Sequence, residues 1–425
     1  MVERLLGHFA LLMGMALVGL TAHAQDAREL FSQYRDDIYQ IRVIELSSGA
    51  QSALGSGFIV SDDGIIVTNF HVVSDFVHHP LSYRLQVVAF DKSQHDAVLL
   101  DVDVIHDLAV LRVAGRPLEH LTLAPELPEQ GDAIYSIGNP HDLGWTVIPG
   151  IYNGLAAHSF YERIHFSGSV NPGMSGGPVL NSTGQVVGVN VATAGNQVSF
   201  LVPLQHLRGF LDQAARQPLD LAVAQDHIRE QLFLNQQHLV GDLIAIPWPQ
   251  TEFGQALVPG EIAPYIRCWG RTNQNPDIRY NHFISECSLD DNIFLSGGFQ
   301  TGAIVLHFGW FESEELNSFQ FYNLLKRRMS RVRPDNNADE EDVTNFACHD
   351  DLVQSQSREG REIVTKSTFC SRQYKRYPGL YDVIYLGGTL QDDKQALLSH
   401  FTLSGVSQEL ATAFLKKFME NVQWN

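Results

Sequence analysis

The residue of this 425-residue chain best placed for chemistry is a serine set among glycines and prolines. It is Ser175, in Asn171-Pro172-Gly173-Met174-Ser175-Gly176-Gly177-Pro178, between a polar run ending at Val170 and the apolar pair Val179-Leu180. Gly and Pro at this density specify a loop. Glycines on both sides allow backbone angles that let N–H groups converge on one point, a nest suited to an oxyanion. A plain turn between strands would have the same composition, so the serine's partners decide the matter. A hydroxyl is a weak nucleophile at neutral pH and needs a base, which is itself oriented by a third group. Gly173-Met174-Ser175-Gly176-Gly177 also fits the G-x-S-x-G pattern of a strand-to-helix elbow. That elbow needs a helix at once and takes its acid and histidine from downstream. Gly176-Gly177-Pro178 opposes a helix start, and the better partners here lie upstream.

Those partners must be positioned by what precedes the loop. After a helix expected over residues 27–39, the chain reads as short strands: Ile41-Arg42-Val43-Ile44-Glu45-Leu46, then Gly55-Ser56-Gly57-Phe58-Ile59-Val60, then Ile65-Ile66-Val67-Thr68. Turns at Ser47-Ser48-Gly49 and Asp62-Asp63-Gly64 separate them, a pace that specifies an all-β barrel or sandwich. His71, in Asn69-Phe70-His71-Val72-Val73, falls where a strand ends. The chain has 18 histidines, and a lone one at such a place is usually structural. The surrounding runs set His71 apart.

Gly55–Val60 with Val67–Val73 resembles the segment of trypsin-like serine proteases, specifically the HtrA/Deg branch, that ends in the general-base histidine. Ile105-His106-Asp107-Leu108-Ala109-Val110-Leu111-Arg112-Val113 resembles the segment carrying the orienting aspartate. The loop around Ser175, continuing through Gly184 and Val186-Val187-Gly188-Val189-Asn190, resembles the nucleophile segment. The order His, Asp, Ser is the chymotrypsin-like one. The resemblance covers roughly residues 34–210, less than half the chain.

It implies an all-β double β-barrel and a serine endopeptidase with His71, Asp107 and Ser175 as triad. His71 would take the Ser175 proton and return it to the leaving amine, while Asp107 would fix the imidazole tautomer. Backbone N–H groups of Gly173 and Ser175, assisted by Met174, would form the oxyanion hole. Asp101 and Asp103 compete for the acid's role. Asp107 is preferred because Leu108-Ala109-Val110-Leu111 anchors it at a strand start, with His106 a bystander pointing the other way. Residues 131–140 read as a strand and turn opening the second barrel. Val191, Thr193 and Phe200 are expected in the specificity pocket. No Asp stands at its base, so small apolar side chains are the expected preference. Substrates would be proteins or peptides, unfolded envelope proteins if the family's role carries over. A catalytically idle binding or chaperone module, and a non-peptide esterase, are the competing readings.

Arg4, the apolar run from Phe9 to Leu20 and Ala22-His23-Ala24 have the layout of a cleaved export signal, hence a periplasmic or secreted protein with no membrane span after cleavage. A net charge of −19 opposes binding to nucleic acid or an anionic membrane. The length suits two domains. A helix over 204–214 is broken at Gln217-Pro218, giving a signal at 1–24, a protease domain at 25–217 and a further domain at 218–425.

The last part shows no carboxylate-binding loop of PDZ type. It reads as a packed α+β domain, with helices over 220–237, 319–329 and after an N-cap at Ser407, and strands at 243–246, 265–269, 283–287, 303–308, 381–386 and 400–404. All four cysteines lie here, an even number in an exported chain, and local pairing favours the disulfides Cys268–Cys287 and Cys348–Cys370. No cofactor is implied. No metal site is expected either, because His78, His79 and His141 sit in loops without ligand spacing. Lys326, Arg327, Arg328, Arg331 and Arg333 form the one basic cluster. Asp335, Asp339, Glu340, Glu341 and Asp342 follow it, so internal pairing on a solvated face is expected rather than a patch for an acidic partner.

Overall fold

The computed structural model of the chain describes residues 27–114, 119–195, 198–214, 217–273, 277–334, 336–390 and 394–424, so the expected signal segment lies outside the described residues. Helix α1 (Ala27–Tyr34) and one 3₁₀ turn lead into β1 (Ile38–Glu45), followed by β2 (Gln51–Ile59) and β3 (Ile65–Thr68). The helix expected to reach residue 39 ends early because Ile38, Ile41 and Val43, all fully buried, suit a barrel strand better than a helix. After helix α2 (Phe70–His78) come β4 (Tyr83–Val88), β5 (Gln94–Asp103) and β6 (Leu108–Val113). These six strands close into an antiparallel barrel in the order β1-β2-β3-β6-β5-β4.

A second barrel is made by β7 (Ala133–Gly138), β8 (Thr146–Leu155), β9 (Ile164–Phe166), β10 (Pro178–Asn181), β11 (Val186–Gly195) and β12 (Val198–Pro203). It closes in the order β10-β11-β12-β9-β8-β7. Helix α3 (Leu204–Gln213) caps it, with Leu204, Leu207 and Phe210 buried.

The remaining chain is a separate α+β domain. Helix α4 (Ala224–Ala245) is longer than expected and takes in the apolar residues Leu243-Ile244-Ala245, which read as a strand. After β13 (Gln250–Phe253) and β14 (Ala256–Pro259) come β15 (Arg267–Thr272) and β16 (Asn281–Ser288). A hairpin of β17 (Ile293–Ser296) and β18 (Phe299–Thr301) precedes β19 (Ile304–Glu312) and helix α5 (Ser318–Met329). Then follow β20 (Ala347–Gln356), β21 (Glu362–Gln373), β22 (Tyr381–Leu390), β23 (Gln395–Val406), helix α6 (Gln408–Glu420) and β24 (Gln423–Trp424). Seven strands form one antiparallel sheet in the order β15-β16-β19-β23-β22-β21-β20. Ser407 caps α6 by accepting the Leu410 N–H at 3.2 Å. The apolar stripe of α6, with Phe414 and Phe418, packs on Phe308 and Phe401 of the sheet. Cys268–Cys287 and Cys348–Cys370 are disulfide-bonded, each joining residues directly opposite on neighbouring strands.

The first barrel and the C-terminal domain share a core. Val72, Val73 and Val77 of α2 belong to the same buried cluster as Ile293, Leu295, Phe299, Tyr374 and Tyr377. Helix α4 spans the parts. Its Gln231 side chain donates to the Val102 carbonyl at 2.7 Å and accepts from the Val104 N–H at 2.9 Å, and Asn235 donates to Tyr161 Oη at 3.0 Å. Its Leu239, Val240 and Leu243 lie in the C-terminal core. Among the described residues no helix is long and apolar enough to cross a membrane.

Candidate active site

Two short elements present His71 and Asp107 to each other. Asn69 precedes the first turn of α2, which carries His71, and Asn69 Nδ2 donates to the Asp107 carbonyl at 2.7 Å. Asp107 sits just before β6 with φ +60°, a left-handed conformation that Asp tolerates better than bulkier residues. Its carboxylate receives two bonds, the His71 N–H on Oδ1 at 2.9 Å and His71 Nδ1 on Oδ2 at 2.7 Å. The Asp107 side chain is 10% exposed and that of His71 28% exposed, so the acid is shielded while the imidazole is reachable. Burial alone would lower the His71 pKa. The Asp107 charge and its hydrogen bond reverse that and leave it above the ordinary 6.5.

The serine loop is held from both barrels. Ser56 of β2 donates its N–H to the Ser175 carbonyl at 2.8 Å and its hydroxyl to the Gly173 carbonyl at 2.7 Å. From β11, Asn190 accepts the Gly176 N–H at 2.9 Å, donates its own N–H to Gly177 at 3.0 Å, and sends Nδ2 to the Met174 carbonyl at 3.2 Å. Gly173 has φ +96°, and a Cβ there would lie 2.5 Å from the Asn139 carbonyl oxygen, so the position needs glycine.

The N–H groups of Gly173 and Ser175 have no protein acceptor among the described residues. Met174 differs from expectation. Its N–H is bonded to the Asn171 carbonyl at 3.0 Å and its side chain is fully buried in the second barrel, so it offers no donor to an oxyanion. The Ser175 hydroxyl donates to the Val191 carbonyl at 3.4 Å rather than to His71.

Of the expected pocket residues, Val191 and Phe200 are half-buried on the paired strands β11 and β12, and the Thr193 side chain lies outside the described residues. Asp101 and Asp103 face elsewhere, on His227 (3.0 Å) and His106 (2.7 Å). The His106 ring stacks on His206 with centroids 4.0 Å apart, beside a cleft of about 870 Å³ between the two barrels and α4.

Sequence reasoning missed two residues here. Phe294, from the β17–β18 hairpin of the C-terminal domain, lies edge-on to His71 with ring centroids 5.9 Å apart and also meets Phe70 at 6.4 Å. His78 is a buried residue at the end of α2, not a loop residue, and its Nε2 donates to the Leu295 carbonyl at 2.8 Å. Nothing local in the sequence marks either contact, because each joins segments more than 200 residues apart.

Three buried histidines, His78 at this interface, His206 and His400, make acid lability an expected property. Burial lowers the pKa of His78 to about 4 and of His400 to about 3; His206 falls to about 4 through burial and then the neighbouring His106. The folded state holds these rings neutral while the unfolded chain binds protons from about 6.5 downward, so stability should fall as pH drops from there towards 4. Urea midpoints across that range measure it. His78→Gln should flatten part of the slope, and a flat profile for the parent chain would contradict neutral burial.

Among known proteins, the family described as "Trypsin-like peptidase domain" matches residues 55–189. Serine protease HTRA1 of Xenopus laevis is 35% identical over 175 residues, covering 38% of this chain and 36% of that protein. The probable periplasmic serine endoprotease DegP-like of Chlamydia trachomatis serovar D is 36% identical over 170 residues, covering 37% and 33%. Protease Do-like 1, chloroplastic, of Arabidopsis thaliana is 32% identical over 200 residues, covering 43% of each. This part of the chain is thus similar to peptidases of the HtrA branch, and the chain spans between 33% and 43% of the length of these curated relatives.

Proposed function

We propose that this chain is a serine endopeptidase acting through Ser175, His71 and Asp107. The observation that carries the reading is the doubly hydrogen-bonded His71–Asp107 pair beside a serine loop whose Gly173 and Ser175 N–H groups have no protein acceptor. Ser175 Oγ first leaves the Val191 carbonyl by rotation about one side-chain bond. It then attacks the substrate carbonyl carbon while His71 Nε2 accepts its proton. The oxyanion is received by the N–H groups of Gly173 and Ser175. His71 returns the proton to the leaving amine, and water repeats the sequence to release the acyl group. Asp107 keeps the other imidazole nitrogen protonated and balances the transient positive charge.

Val191 and Phe200 support a pocket for small apolar side chains. The signal-like sequence of residues 1–24, the two disulfides and the DegP-like relatives named periplasmic support an exported protein. Unfolded or misfolded envelope proteins are the proposed substrates.

The test is fluorophosphonate labelling, with casein, peptide and activated-ester substrates assayed side by side. The expected result is one adduct on the peptide containing Ser175 and cleavage of casein and peptides. Ester hydrolysis without peptide cleavage would make the protein an esterase. No adduct and no cleavage would leave the idle binding module.

A further inference from the structure

Among the described residues, the basic cluster forms no ion pair with the acids that follow it; Asp335 lies outside them. Asp342 instead meets Arg376 at 3.6 Å. Arg328 donates to Tyr280 Oη at 2.8 Å, and Arg333 to the carbonyls of Ser330 and Val332. No described carboxylate lies within ion-pair distance of Arg328, Arg331 or Arg333. The expected internal pairing is absent among the described residues, where the chain turns at the end of α5 and lays these three guanidiniums over the sheet. They rim a cavity of about 260 Å³.

Strand register sets the floor of that cavity. Glu286 pairs with His307, His307 with His400 and His400 with Leu386, so the four side chains form one row across β16, β19, β23 and β22. Ile284, Val305 and Leu398 flank the row. The two imidazoles are 6.3 Å apart, and burial lowers the pKa of both. At neutral pH the floor is therefore hydrocarbon and uncharged imidazole, with Glu286 turned to Arg271 at 3.2 Å. The positive charge is left on the rim, in a chain whose net charge is −19.

An apolar floor under guanidiniums that have no described carboxylate partner matches an anion with a hydrocarbon tail, since Arg forks suit a carboxylate and the tail removes the floor from water. The volume lies just below the ~300–1,000 Å³ of ordinary small-molecule sites, which admits one short chain and not a two-chain lipid. An acidic protein surface would need the charges but not the hollow. We propose that this cavity binds a small single-chain carboxylate amphiphile of the fatty-acid type, its head on Arg328, Arg331 and Arg333 and its chain across the floor. The proposal does not depend on peptidase activity.

Calorimetry and thermal shift on the full chain with decanoate test it, beside decyltrimethylammonium (same tail, opposite charge), acetate (head without tail) and poly-L-glutamate. Saturable binding of decanoate at one site is expected, with none of the other three matching it. Arg331→Gln with Arg333→Gln, both exposed, should weaken decanoate roughly tenfold or more and leave the ligand-free melting temperature in place. Equal binding of decyltrimethylammonium, or unchanged decanoate affinity in the double variant, would overturn the proposal. Binding of poly-L-glutamate alone would overturn it in favour of a surface for acidic macromolecules.

Discussion

Asp107→Asn should lower kcat on a peptide substrate by roughly 10⁴-fold while the protein still folds. Asn keeps the shape and can still accept the His71 N–H that Oδ1 now receives at 2.9 Å. In place of Oδ2, 2.7 Å from His71 Nδ1, it puts an amide that can hold the ring in the tautomer with its proton on Nε2. That ring cannot take a proton from Ser175. The pH profile gives a second readout. Activity requires neutral His71, whose pKa stands above 6.5 because of the Asp107 charge and bond, so kcat/KM should rise with pH through a value above 6.5. Removing the charge should move that rising limb of the residual activity towards acid. A loss under about tenfold, or a limb that does not move, would take Asp107 out of the orienting role assigned to it.

Ending the chain after residue 214 should abolish activity rather than release it. Two self-sufficient domains would allow the shortened protein to work, and faster cleavage would mark the C-terminal domain as a restraint. The shared core argues otherwise. Val72, Val73 and Val77 lie on the helix that carries His71, in one buried cluster that joins first-barrel residues to Ile293, Leu295 and Phe299. Full burial of such a side chain contributes about 1.5–3 kcal/mol, while a whole domain has only about 5–15 kcal/mol in hand. His78 would also lose its Leu295 acceptor. The expected product is insoluble or lacks a cooperative melting transition, and takes no fluorophosphonate. A soluble, labelled and active fragment would show that the hairpin is dispensable to the site.

What was legible in the sequence follows from how local each cause is. The loop at Ser175 is written in Gly and Pro, whose backbone preferences act over a few residues, and the strand start at Asp107 in the apolar run that follows it. Helix α6 is written in its cap and stripe. Helix α2 was not legible, because Val72-Val73 reads as strand. Strand β20 was missed because its residues are mostly exposed and polar, without the alternation a half-buried strand would show. The end of α4 was mistaken for a strand because a short apolar run has no period to distinguish the two. Phe294 beside His71, and the rim of arginines over His307 and His400, depend on tertiary contacts between distant segments.

The two disulfides fall at opposite margins of the seven-stranded sheet, since β15 and β20 are its outermost strands and each is bridged to its inner neighbour. An outermost strand carries a row of unused N–H and C=O groups that can template pairing with another chain. The bridges close loops of 19 and 22 residues, where each disfavours the unfolded ensemble by about 3 kcal/mol. They act where the sheet would otherwise fray first. Reduction should therefore loosen the margins before it melts the centre and expose two adhesive borders per molecule. Self-association should then follow the thiol–disulfide balance of the surroundings as well as the stability of the core.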